Sequence, residues 1–298
     1  MKWQGVFPAI TTPFESDDSI DHEFLGKHVR TMLDAGCQGI VALGSLGEGQ
    51  TLSKSEKLEV LKTCKKAVGR APLVAGISAL STPEAADLAR AAEAVGCEGL
   101  MVLPVYVYRG DWRETEAHFR AVIAATKLPC MLYNNPVAYG TDVTPEQLAI
   151  LADLPNLAAV KESSMDVRRV TGIRAVLGDR LAIFVGVDDV IVEGIAAGAV
   201  GWIAGLVNAL PRESVELFDL ARAGKSREAR ELYEWFLPLL RLDTVPKFVQ
   251  LIKLVQQEAD LGSERVRPPR LALAGRERED ALYLIRKALE RRPALSPR

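Results

Sequence analysis

One joint recurs three times along the chain. Ala35-Gly36-Cys37-Gln38-Gly39 leads into an apolar run at 40–43, Val95-Gly96-Cys97-Glu98-Gly99 into one at 100–103, and Ala197-Gly198-Ala199-Val200-Gly201 into Trp202-Ile203. Each copy reads as a helix ending at a glycine that takes the left-handed conformation at little cost, followed at once by a short buried strand. A repeated helix-to-strand joint implies repeated αβ units. Helix starts agree with it. Ser53-Lys54-Ser55-Glu56, Ser81-Thr82-Pro83-Glu84 and Thr144-Pro145-Glu146-Gln147 fit the capping box, in which the cap hydroxyl and the carboxylate or amide three residues on satisfy backbone donors reciprocally. Two of them carry proline in the first turn.

Strands are expected near 5–11, 39–43, 72–77, 99–103, 128–133, 157–161, 181–185 and 200–203. They are short and apolar without clean alternation, as parallel strands buried on both faces are. Eight strands alternating with helices predict an α/β fold, a (β/α)8 TIM barrel. A doubly wound sheet is disfavoured, since no G-x-G-x-x-G follows the first strand. Beyond 210 only helices are expected, near 211–223, 226–240, 244–258 and 276–291, with 265–270 as a connecting loop. The barrel is thus assigned to 1–223 and a C-terminal helical extension, packed on it rather than independent, to 224–298.

The balance of 37 basic against 39 acidic residues leaves a formal charge of −2, so no electrostatic footprint for nucleic acid or an anionic membrane is expected. No apolar run reaches the ~20 residues that span a bilayer. The N-terminus enters a strand without a signal-peptide core, so a cytoplasmic location is expected. Cys37, Cys64, Cys97 and Cys130 lack zinc spacing and read as buried thiols. His22, His28 and His118 read as surface or satisfied histidines. No metal and no cofactor is expected.

Barrel chemistry sits where strands end. Lys161 follows the apolar run at 157–160 and would face the barrel mouth. Loss of water disfavours the ammonium and makes the amine nucleophilic toward a ketone. On its own Lys161 is equally well a strand-end lysine paired with Glu162. Tyr133, placed across the mouth, would relay protons at the imine carbon. The loop Gly44-Ser45-Leu46-Gly47-Glu48-Gly49 offers backbone N–H groups to a carboxylate, with Ser45 passing protons between Tyr133 and solvent.

Taken together, Pro8-Ala9-x-Thr11-Thr12-Pro13-Phe14, Gly44-Ser45-x-Gly47-Glu48, Tyr133-Asn134-x-Pro136, Lys161-Glu162-Ser163, Gly186-Val187-Asp188-Asp189 and Asn208-x-x-Pro211 resemble the dihydrodipicolinate synthase / N-acetylneuraminate lyase family over residues 3 to 290. The resemblance implies a class I, metal-independent lyase acting on a small-molecule 2-oxo acid, and a homotetramer built as a dimer of dimers. It implies Lys161 as the Schiff-base residue, Tyr133 as proton relay and Ser45 beside it. Tyr106 falls where synthases carry a tyrosine that reaches the neighbouring subunit's site. Gly44, Leu46, Gly47, Gly186 and Ala204 are the implied substrate-binding positions.

Two departures bear on substrate. Leu46 stands where synthases carry a second threonine, and Ala138 where they carry the arginine that holds the aldehyde substrate's carboxylate. Losing a guanidinium fork removes a strong, geometrically specific partner; Arg109 and Arg113 after strand four are the nearest cations, but their positions near a helix start point to solvent exposure rather than replacement. The expected activity is a Schiff-base lyase, dehydratase or deaminase, with 1-pyrroline-4-hydroxy-2-carboxylate as the first substrate. A 2-keto-3-deoxy sugar acid dehydratase or aldolase, or dihydrodipicolinate synthase itself, are the alternatives. A catalytically silent 2-oxo acid binding barrel is the alternative of another class.

Overall fold

Gly36, Gly96 and Gly198, the joint glycines, all take positive φ, at 103°, 94° and 107°, and each hands the chain to a strand. The computed structural model describes residues 1–295, so the last residues assigned to the extension, 296–298, lie outside them. Eight strands form one parallel sheet: β1 (Gly5–Pro8), β2 (Ile40–Ala42), β3 (Leu73–Ile77), β4 (Gly99–Val102), β5 (Cys130–Asn134), β6 (Leu157–Glu162), β7 (Ala182–Val185) and β8 (Gly201–Ala204). From β2 to β8 each pairs with the next, β8 pairs with β1, and an isolated Ala9–Val41 bridge joins β1 to β2. This is the expected TIM barrel. At one end Phe7 and Phe184 pack edge to face at 5.6 Å, with Trp3 against Phe184. Each such buried ring contributes about 1.5–3 kcal/mol.

The outer helices are α1 (His22–Asp34), α2 (Lys54–Val68), α3 (Thr82–Val95), α4 (Trp112–Ala124), α5 (Pro136–Tyr139), α6 (Pro145–Leu151), α7 (Arg168–Leu177), α8 (Ile191–Ala196) and α9 (Pro211–Arg222). Full capping boxes open α2 and α6 as expected, and Asp111–Glu114 forms another at α4. At α3 only the forward half is made: Ser81 accepts from the Glu84 N–H.

The extension comprises α10 (Ser226–Leu240), α11 (Phe248–Glu258) and α12 (Gly275–Glu290). The helix expected over 244–258 is shorter. A 3-10 turn, Arg241–Thr244, is followed by Val245 in an extended conformation at φ −118°, ψ 159°. Pro246 disfavours the helical region for the residue before it, so the chain breaks there and resumes at Phe248. That break turns 243–248 toward the barrel mouth.

All four cysteines are buried as thiols; burial pushes Cys64, Cys97 and Cys130 up to about 12. His28 and His118 are buried and hydrogen-bonded, the former to Asn208 and the latter to Thr82 and the Leu103 carbonyl. Among the described residues no helix is long and apolar enough to cross a membrane.

Candidate active site

Strand geometry sends consecutive residues to opposite faces, and this separates Lys161 from Glu162. Lys161 lines a cavity of about 550 Å³ at the C-terminal ends of the strands. Glu162 is held outside it, accepting from Asn134 Nδ2 at 3.1 Å and from the Ser164 N–H at 2.7 Å. The pairing of Lys161 with Glu162 is therefore not made. Burial lowers the Lys161 ammonium to about 8, against the charges of Asp243 and Asp188, which hold it up. An amine in this range has an appreciable neutral fraction near neutral pH, which imine formation requires.

Tyr133 is Lys161's register partner on the adjacent strand β5, not a residue across the mouth. The ammonium stands 4.1 Å from the centre of its ring. Burial raises the Tyr133 phenol, while Asn135 Nδ2 donates to its oxygen at 2.9 Å and the Ser45 and Ser163 hydroxyls lower it. Beside it lies Tyr139, which sequence reasoning passed over. Its hydroxyl hydrogen-bonds Ser45 Oγ and accepts from Gln50 Nε2 at 3.3 Å. Burial, then the neighbouring Tyr133, raises this phenol too. The one-turn helix α5 delivers it: Asn135 Oδ1 caps the Ala138 N–H at 2.9 Å and Gly140 closes the turn at φ 73°. The motif Asn135-Pro136 followed four residues later by glycine is the signal for that turn. Tyr106 completes a row of rings, 6.2 Å from Tyr139, and lines its own chain's cavity.

Gly44, Ser45, Leu46 and Gly186 line the cavity as expected. Gly186 has a steric reason: a Cβ there would collide with Ser163 Oγ and stand 2.5 Å from Lys161 Cε. Gly47 and Ala204 do not line it. Gly47 lies behind the loop, where a Cβ would stand 2.8 Å from the Ile10 carbonyl and where its own carbonyl accepts from Thr12. Ala204 faces away because Ile203 and Gly205 take the inward positions beside it.

Neither Arg109 nor Arg113 lines the cavity; both are exposed. The extension supplies what the loops do not. Asp243, Thr244, Val245, Pro246, Phe248 and Arg270 form one wall. Arg270 is thus a cation in the cavity of Ala138, and its guanidinium lies 3.8 Å from Glu48. Glu48 itself, at φ 53°, is fully buried and paired with Lys253 of α11 at 2.6 Å. Lys253 also donates to the Thr12 and Arg265 carbonyls at 2.8 and 2.7 Å. This buried pair fastens the Gly44–Gly49 loop to the extension.

Asp188 is committed to structure. It accepts from Trp202 Nε1 at 2.9 Å and from the Gly205 and Leu206 N–H groups, holding the β8 end. Burial nevertheless raises it to about 6. Ser163 Oγ is buried and makes no well-formed hydrogen bond among the described residues, though it lies near enough to the Tyr133 phenol to lower it. Among those residues no three His, Cys, Asp or Glu side chains group as a metal site.

Residues 2–288 match the model of the dihydrodipicolinate synthetase family. A 4-hydroxy-tetrahydrodipicolinate synthase of Methanothrix thermoacetophila is 34% identical over 82% of this chain and 84% of its own length. The enzyme of that name from Caldicellulosiruptor bescii is 31% identical over 96% of both. The chloride-inhibited dihydrodipicolinate synthase of Acinetobacter baumannii, solved with pyruvate, superposes with a TM-score of 0.90 at 30% identity, covering 96% of this chain and 99% of that one. Fold, mouth geometry and whole-chain similarity agree: the chain belongs to the dihydrodipicolinate synthetase family and is a class I, Schiff-base-forming lyase.

Proposed function

We propose that Lys161 forms an imine with a small 2-oxo acid, or exchanges onto the carbon of its cyclic imine, and that the physiological reaction is deamination of 1-pyrroline-4-hydroxy-2-carboxylate. The observation that carries the imine chemistry is a desolvated lysine, lowered to about 8, in register with a buried tyrosine in the cavity at the barrel mouth. Tyr133, Ser45 and Tyr139 form the hydroxyl chain through which protons leave and return. The protonated imine is the electron sink for bond changes at the neighbouring carbon. Gly44–Leu46 and Ser163 receive the carboxylate.

A monocarboxylate with a ring suits a wall that is mostly apolar, with Leu46, Ala138 and Val137 where a second carboxylate would otherwise be clamped. A second reading, condensation of pyruvate with aspartate semialdehyde, is favoured by Arg270, which places a cation on the cavity wall, and by the names of the relatives. The deciding experiment compares kcat/KM on the two reactions. We expect ammonia and semialdehyde release from the hydroxylated pyrroline, with condensation lower by one or two orders of magnitude, the cost of about 1.5–3 kcal/mol for a missing charge-assisted clamp. Condensation at ~10⁴ M⁻¹s⁻¹ or more, without pyrroline turnover, would reassign the chain to synthesis.

A further inference from the structure

We propose that Asp243, brought to the mouth by the C-terminal extension, is a catalytic acid that protonates a hydroxyl leaving from C4 of the Lys161-bound substrate. The inference rests on the imine reading above and narrows it to 2-oxo acids or cyclic imines hydroxylated at C4.

Two carboxylates converge on Gly205. A Cβ at that position would meet Asp243 Oδ1 and lie 3.4 Å from Asp188 Oδ2. In the free enzyme the Lys161 ammonium offsets their repulsion, but once that nitrogen is neutral, as it is in the enamine, two carboxylates converging on one glycine favour a proton kept on one of them. Their surroundings decide which. Asp188 is fully buried and accepts from three N–H donors, Trp202 Nε1, Gly205 and Leu206; such donors favour the ionised form. Asp243 has one backbone donor, the Asp188 N–H, against three donors on Asp188; it lines the cavity beside Lys161 and faces Asp188 and Asp189 from the neighbouring turn and Tyr133 from β5. Burial, then the Asp188 charge, raise its carboxyl well above the ordinary range, against the Lys161 charge and the Asp188 N–H, which lower it. The site therefore holds a carboxylate fixed to the backbone and a carboxylic acid open to the ligand.

That division selects a reaction. Aldol cleavage needs a base to remove the C4 hydroxyl proton, whereas elimination needs an acid to give one. In the elimination, C3 loses its proton through the Tyr133 hydroxyl to water and the imine becomes an enamine. The enamine electrons then form C3=C4 with the imine restored, the C4–O bond breaks, and the Asp243 proton leaves with the oxygen as water. Asp243 ends as a carboxylate, to be reprotonated by solvent. No redox change occurs.

The test uses Asp243→Asn in the full chain, with two substrates and one trap. Borohydride trapping of pyruvate at pH 9, where Lys161 is mostly neutral with or without its neighbour, should proceed within about threefold of wild type and shows an intact fold. Turnover of a 4-hydroxy-2-oxo acid or the hydroxylated pyrroline should fall roughly 10²–10⁴-fold, the range for a lost general acid. A 4-chloro-2-oxo acid, whose chloride leaves unprotonated, should be turned over at near wild-type rate by the variant. Near wild-type turnover of the hydroxylated substrate, or an equal loss with the chlorinated one, would overturn the role of Asp243. So would a wild-type enzyme that traps pyruvate yet eliminates from no 4-hydroxylated substrate. A wild-type enzyme that traps no 2-oxo acid defeats the imine reading instead.

Discussion

Lys161 and Glu162 are adjacent and both titratable, yet one strand register gives them different lives, and the difference can be measured. Imine formation follows the neutral fraction of the amine. With Lys161 lowered to about 8, the rate of pyruvate trapping should climb about tenfold per pH unit below that point and level off above it. A profile still rising toward 10.5, the unperturbed value, would mean that the lysine is solvated. Tyr133→Phe should leave the fold intact, since the ring remains, and lower turnover roughly 10²–10⁴-fold; turnover near wild type would make Tyr133 a packing residue. Lys161 was legible in the sequence because a charged residue closing an apolar strand has few places to point. Tyr139, Asp243 and Arg270 were not. Each lies in a turn or loop whose own residues carry no period, and each reaches the cavity only through tertiary placement. Ala138 invited the expectation of a cavity poor in cations, and Arg270, 132 positions further along the chain, corrects it.

Element boundaries followed local chemistry closely wherever that chemistry acts alone. The joint glycines, the caps at Ser53 and Thr144 and the proline at α9 all mark real ends. The miss at 244–258 arose because apolar spacing continued past a proline whose effect falls on the residue before it. That same break carries Asp243 to the mouth, so the least regular part of the extension is its contribution to the site. The Glu48–Lys253 pair joins this extension to the Gly44–Gly49 loop in full burial. Removing one partner leaves a buried charge, so Lys253→Met should cost about 3–5 kcal/mol, read from the denaturant midpoint. The double variant Glu48→Gln/Lys253→Met should recover part of that loss. A neutral Lys253→Met would mean that the loop is held by other contacts.

At the scale of the whole molecule, the loop after β4 leaves Val107 and Tyr108 exposed beside the half-buried Tyr106. Apolar side chains clustered there suit burial against another copy, in line with the tetramer that the family resemblance implies. Light scattering should give four times the 32.4 kDa chain mass, and Tyr108→Asp should lower it; a wild-type monomer would confine the site to one chain. The central claim is the covalent bond itself. Pyruvate and borohydride, followed by peptide mass analysis, should place one reduced pyruvyl group on Lys161 and none on Lys161→Ala. Absence of an adduct with any 2-oxo acid, or an adduct on Lys253 or another lysine, would contradict it.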